Sequence, residues 1–169
     1  KIAPAIACGN TVVLKPAEFT SLTAIFFAEL CNKAGIPDGV INIITGDGST
    51  GEIITQHPDV RKIAFTGSTE VGKRIIQTTS SSEKKLTMEL GGKSPFIVFE
   101  DADLEKVTDI AIFAKFRNNG QVCISPSRFY IHTSRKNDFT KLMIEKTKKL
   151  KIGNGMDKDT ILGPLTTRK

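Results

Sequence analysis

Short apolar runs alternate along this chain with stretches whose apolar positions recur at helical spacing. Residues 11–14 form a compact, β-branched run that reads as a buried strand. Over residues 21–34, Ala24, Phe27, Leu30, Cys31 and Ala34 fall on one helical face, and Gly35-Ile36-Pro37-Asp38-Gly39 supplies the punctuation that ends such a helix. The alternation continues with a strand over 40–44, a short helix over 51–56, a strand over 62–65, a helix over 68–78 and an extended run over 86–89. After Gly91-Gly92 it restarts, with a strand over 95–99 and a helix over 104–117 that opens on Asp101 and Asp103. A strand over 128–132 and a basic helix over 137–150 complete the pattern.

Strands separated by helical crossovers pair in parallel, because only a connection of a dozen or more residues can bring the chain back in the same direction. The rhythm therefore predicts an α/β fold with an open, mostly parallel sheet carrying helices on both faces. The glycine pair is the expected boundary between a first domain over residues 1–90 and a second over 91–169. Residues 152–169 are rich in Gly, Asp and Thr and read as a surface connection. The chain lacks a starting methionine and opens abruptly, so it is expected to be a piece of a longer protein.

Composition narrows the function classes. With 169 residues, 39% of them apolar, the chain is long enough to bury a core. No run approaches the roughly 18 apolar residues of a membrane span, and the N-terminus has no signal-peptide pattern. Cys8, Cys31 and Cys123, with His57 and His132, show no metal-ligand spacing, so no metal site is expected. Unpaired cysteine spacing suits a reducing, cytoplasmic setting, with Cys8 and Cys31 as inert packing. The formal charge of +6 gathers at Arg135 and Lys136 and at Lys146, Lys148, Lys149 and Lys151, on and beside the last helix, where no aromatic platform is interleaved for base stacking. That helix reads as a solvated amphipathic face rather than a nucleic-acid surface.

Two segments carry chemistry. Gly120-Gln121-Val122-Cys123 places a thiol on a loop after a long helix, flanked by small polar residues including Ser125 and Ser127. Covalent catalysis by such a thiol requires backbone amides close to the reacting oxygen, which small neighbours permit. Met88-Glu89-Leu90-Gly91-Gly92 places a carboxylate where a strand runs into a glycine turn, and the two make a base and a nucleophile. Two further segments suit a dinucleotide. Around Phe65-Thr66-Gly67-Ser68-Thr69-Glu70-Val71-Gly72 a strand turns on glycine into a helix, whose N-terminal amides attract phosphate while Ser68 can donate a hydroxyl. The segment is neither G-x-G-x-x-G nor a Walker loop. Lys15-Pro16-Ala17-Glu18 follows the first strand, where Glu18 can accept hydrogen bonds from ribose hydroxyls and Lys15 can bond the same sugar. Glu18 would repel a 2′-phosphate, so NAD is preferred to NADP, with the neighbouring lysine able to offset that repulsion.

Residues 10–18, 65–72, 88–95 and 120–123 closely resemble the aldehyde dehydrogenase superfamily, in the same order and at its spacings, and the resemblance covers essentially the whole chain. It implies a Rossmann-like cofactor domain, present from part-way along, joined to the first part of the catalytic domain. By that resemblance Cys123 matches the catalytic nucleophile and Glu89 the general base. Lys15 and Glu18 match ribose ligands, Ser68 a pyrophosphate contact, Gly67 and Gly72 the glycines of the cofactor turn, Val71 an apolar neighbour of adenine, and Leu90 a residue near the nicotinamide.

The implied reaction oxidises a small-molecule aldehyde to a carboxylic acid with NAD, through a thioester on Cys123, in a homo-oligomer. Glutamate at position 89 favours hydrolysis over transfer to coenzyme A, and the residues after Cys123 look more like semialdehyde-oxidising members. The family's oxyanion asparagine and its later Glu-x-Phe-Gly-Pro segment have no counterpart in this sequence, so the chain alone is expected to be inactive or to bind nucleotide without chemistry.

Overall fold

In the computed structural model, which describes residues 1–168, the chain divides into two compact units, Lys1–Glu89 and a second that begins at Leu90. The first contains α1 (Ile2–Ala7), β1 (Val12–Leu14), α2 (Ser21–Lys33), β2 (Ile41–Ile43), α3 (Gly48–Gln56), β3 (Lys62–Gly67) and α4 (Thr69–Thr79), and closes on β4 (Lys85–Leu90). β1 and β2 pair in parallel, with Val12 opposite Ile41 and Leu14 opposite Ile43, and α2 is the crossover between them. The Asn42 side chain secures this pair by donating to the Val12 and Gly39 carbonyls. β3 pairs with β4. Among the described residues the strands are joined as three two-stranded sheets, two of them in this unit.

Side-chain caps explain where two of these helices start. Asp47 accepts from the amides of Ser49 and Thr50 ahead of α3, and Ser68 accepts from Val71 ahead of α4, each satisfying donors that a helix N-terminus leaves unpaired. Arg74 on α4 grips Glu52 on α3 through contacts of 2.9 and 2.8 Å to its two carboxylate oxygens. Cys31, Ile63 and Ile75 are buried as apolar packing. Cys8 is not: it caps the C-terminus of α1 and is exposed, because that helix spans only 6 residues and ends before position 8 can be covered.

The second unit contains β5 (Ser94–Val98), α5 (Leu104–Phe116), β6 (Pro126–Ile131) and α6 (Lys136–Lys148). β5 and β6 are parallel, with Phe96 opposite Phe129 and Ile97 opposite Tyr130. The ladder shifts register between Ser94 and Pro95, where proline brings no amide hydrogen. Period-two alternation sends Phe96 and Phe129 inward, their rings 5.4 Å apart, against Val98, Leu104, Ala111 and Phe139. Each large side chain so buried contributes about 1.5–3 kcal/mol. Ile97 and Tyr130, on the opposite face, are exposed. Residues 152–162 fold back on themselves, with Ile152 bridging to Leu162 and the Lys151 carbonyl accepting from both Ile161 and Leu162. No helix among the described residues is long and apolar enough to cross a membrane, and no group of three or more side chains there could hold a metal ion.

Lys146 departs from the expected solvated face of the basic helix. Its side chain is only 17% exposed, and its ammonium reaches across to α5, where it meets Asp109 Oδ1 at 2.6 Å, the Glu105 carbonyl at 2.8 Å and Glu105 Oε2 at 3.0 Å. Three acceptors on one helix pull the lysine inward. The hydrogen bond that the Lys146 ammonium donates to Asp109, reinforced by Glu105, holds that ammonium above the ordinary lysine value of 10.5. A raised lysine contributes stability that is fully present below its unfolded value and lost as pH climbs through the folded one. Lys146→Met is therefore expected to lower the thermal midpoint at neutral pH. The gap from wild type should close as pH rises beyond 10.5; a gap that persists unchanged in alkali contradicts the clamp.

Candidate active site

The thiol loop is built outward from the end of α5. That helix stops at Phe116, and the chain then takes three successive left-handed residues, Asn118 (φ 52°), Asn119 (φ 57°) and Gly120 (φ 75°). Asparagine tolerates this region better than other L residues because its side chain can bond locally, and Asn118 Nδ2 does so, to the Gln121 carbonyl at 3.1 Å. The turn brings Gly120 against the end of the helix: a Cβ there would lie 3.2 Å from the Lys115 carbonyl oxygen. The same carbonyl accepts from the buried Ser125 hydroxyl at 3.2 Å. Between these anchors the Ser125 amide closes a turn onto the Val122 carbonyl, with Cys123 and Ile124 at its tip. Cys123 is exposed. Among the described residues its amide has no acceptor, so thiol and N–H are both free at one turn tip.

Parallel pairing of β5 with β6 places the segments that lead into the two strands side by side. Arg128 Nε donates to the Lys93 carbonyl at 2.8 Å, and a Cβ on Gly92 would lie 4.0 Å from the Cys123 carbonyl oxygen. Gly92 therefore borders the thiol turn. Within the segment Met88-Glu89-Leu90-Gly91-Gly92, Leu90 is half-buried, while Glu89, which ends the first unit, is exposed and its carboxylate has no hydrogen-bond or ion-pair partner among the described residues.

In the first unit the remaining residues gather at strand ends. Lys15, just past β1, is half-buried, and its ammonium donates to the Pro16 carbonyl at 2.7 Å and the Gly46 carbonyl at 3.0 Å. Those two bonds turn it across the carboxyl ends of β1 and β2. Gly51 on α3 flanks the lysine, with a would-be Cβ 3.5 Å from Lys15 Cε. Glu18 lies exposed in the 3-10 turn Glu18–Thr20, which the apolar pattern does not foretell.

Gly67 ends β3 and Ser68 caps α4. Accepting from the Val71 amide at 3.2 Å uses a lone pair of Ser68 Oγ and leaves its hydrogen free to donate outward. The Phe65 ring lies over the Cα of Gly67, where a Cβ would overlap it. Gly72 is buried one turn into the helix, and Val71 beside it is exposed. A hydroxyl with a hydrogen to give and a helix N-terminus at one strand end suit a diphosphate.

Comparison with known proteins gives a consistent result. The description "Aldehyde dehydrogenase family" matches residues 1–169. Among solved structures, an E. coli NADP dependent enzyme is 44% identical, with a TM-score of 0.95 over 98% of this chain and 35% of its own. Succinate-semialdehyde dehydrogenase from Burkholderia pseudomallei is likewise 44% identical, with a TM-score of 0.95 over 98% of this chain and 35% of its own. Betaine aldehyde dehydrogenase from Staphylococcus aureus, in a complex with NAD+, is 42% identical, with a TM-score of 0.95 over 99% of this chain and 34% of its own. The chain thus spans about a third of the length of the structures it matches.

Gly67 offers a direct check on the turn. In Gly67→Ala the new methyl must displace the Phe65 ring, which is expected to cost about 1–3 kcal/mol in chemical denaturation. Gly51→Ala, where the neighbouring Lys15 carbons sit at ordinary contact distance, should cost nothing of that size. Equal effects at the two glycines would contradict the crowding at Gly67.

Proposed function

The chain belongs to the aldehyde dehydrogenase family, and from that premise we propose that it supplies the nucleotide turn, the general base and the nucleophile of an enzyme that oxidises an aldehyde to a carboxylic acid. The observation that carries this reading is the thiol turn, where an exposed Cys123 side chain and an unpaired Cys123 amide share one tip. The sulfur attacks the aldehyde carbon, and the amide donates to the oxygen that becomes negative. Anchoring the turn to Lys115 holds that donor in place before the charge develops.

NAD, when bound, accepts the hydride that the substrate carbon must lose to become an acyl group. The residues around the nucleotide turn fit that group. Gly67 lets the strand end turn beneath the Phe65 ring into the helix N-terminus, and Ser68 has a hydroxyl hydrogen to give a pyrophosphate. Gly72 lets the helix pack close, while Val71 offers an apolar surface to adenine. Lys15 and Glu18 would hold the adenosine ribose, the lysine already directed across the strand ends by its two carbonyl bonds. Leu90 would sit by the nicotinamide. Glu18 favours NAD over NADP.

Glu89 completes the cycle as general base. It is exposed and has no cation to neutralise it among the described residues, so its carboxylate is free to take a proton from water. That water attacks the thioester, releases the carboxylic acid and returns the sulfur. The word that carries Glu89 runs directly into Gly92, which lies against the Cys123 carbonyl. A succinate-semialdehyde dehydrogenase among the similar structures supports a carboxylate-bearing aldehyde as substrate.

In the full-length protein, Cys123→Ala is expected to lower steady-state turnover by on the order of a thousandfold or more. Glu89→Gln should keep a stoichiometric burst of reduced cofactor while steady-state turnover falls by about 10²–10⁴-fold, the range of general-base catalysis. A Glu89→Gln enzyme that turns over at the wild-type rate removes glutamate from the role of base. Turnover by the wild type only when coenzyme A is added replaces hydrolysis with acyl transfer.

A further inference from the structure

Both the oxygen and the nitrogen of the Asn119 carboxamide are hydrogen-bonded, yet the reaction described above makes no use of them. Asn118 spends its side chain inside the loop, on the Gln121 carbonyl. Asn119 reaches out of it. Its Oδ1 accepts from the Gly163 amide at 2.9 Å, and its Nδ2 donates to the Pro164 carbonyl at 3.1 Å, so both ends of one side chain hold one remote stretch of backbone. The Thr166 hydroxyl adds a longer contact to Gln121 Oε1 at 3.5 Å.

Few side chains could take this place. The φ of 57° disfavours most L residues, and the pairing needs a donor and an acceptor on a short, planar group. Aspartate lacks the donor, and glycine lacks both groups. The location matters because the thiol turn has one anchor on its far side, Ser125 to the Lys115 carbonyl. On the near side, among the described residues, the side-chain bonds that leave the loop are those of Asn119 and Gln121.

We propose that Asn119 is a positioning residue for Cys123: its carboxamide fastens the near side of the thiol loop to the Gly163–Pro164 segment, so that the turn tip presents the sulfur and its amide in one fixed place. The inference rests on Cys123 as nucleophile. It extends that reading to residues 163–164, which touch the loop but take no part in the chemistry. Misplacing a reacting group by about 1 Å can cost on the order of a hundredfold in rate. Losing the tether should therefore act on kcat far more than on KM.

The test uses the full-length protein with Asn119→Gly, Asn119→Asp and Cys123→Ala. Asn119→Gly keeps the left-handed backbone accessible and removes both bonds; kcat should fall about 10- to 100-fold while KM moves less than about twofold. Hydrogen–deuterium exchange should quicken in the peptide containing Gly163. Asn119→Asp keeps the acceptor for the Gly163 amide and should recover part of kcat. Wild-type kcat in Asn119→Gly overturns the proposal, as does a loss matched by an equal rise in KM with no recovery in Asn119→Asp. If Asn119→Gly does not fold, Asn119→Asp decides: it has lost the Pro164 bond, so an unchanged kcat overturns the proposal. Turnover that survives Cys123→Ala rejects the nucleophile itself, and Asn119's role with it, an outcome distinct from a thiol-dependent enzyme indifferent to Asn119.

Discussion

A helix ends with carbonyls that no longer have an amide four residues ahead, and one of these, on Lys115, is what the thiol loop is fastened to. The Ser125 hydroxyl bonds to it and Gly120 packs against it, so the chain leaves α5 and returns to nearly the same point. Everything proposed for the thiol follows from that closure. A free loop of this length would spread its cysteine over many positions, whereas one hydrogen-bonded through Ser125 to a helix terminus holds an amide and a thiol at a single tip. The serine is buried for the same reason: its hydroxyl satisfies a carbonyl that would otherwise face the core unpaired.

The two units use opposite ends of their strands. In the first, Lys15 follows β1 and Gly67 ends β3, at the carboxyl edges where a helix N-terminus stands ready for an anion. In the second, Gly92 and Cys123 precede β5 and β6, at the amino edges, where helix dipoles give no such help. Covalent attack does not need a phosphate cradle. It needs a rigid turn, an unpaired amide and small neighbours, and Gly92, whose would-be Cβ lies 4.0 Å from the Cys123 carbonyl oxygen, is one small neighbour of the turn.

Much of this architecture was legible because the local signals agreed with one another. The helix over α2 follows from its apolar spacing and its glycine-proline stop, and the strands over β3 and β5 from short apolar runs. Parallel pairing follows from the crossovers. What periodicity could not carry was chemistry without a period. Lys146 sits in a lysine-rich stretch that looks uniformly solvated, and only the acidic face of a distant helix turns it inward. Cys8 reads as packing from its small neighbours, yet the helix beneath it is too short to cover it. The Asn118-Asn119-Gly120 run did carry a signal, since asparagine and glycine are the residues most at ease with positive φ. The partners of Asn119, 45 and 44 residues further on, carried none.

The parallel pairing described above also governs how the chain can reach this state. Asn42 meets Val12 across 30 residues, and Arg128 meets Lys93 across 35. No strand in either pair can form its ladder until the intervening helix has brought its partner home, so the loop-closure entropy falls due before any inter-strand bond offsets it. High contact order of this kind makes folding slow relative to a helical bundle of the same size.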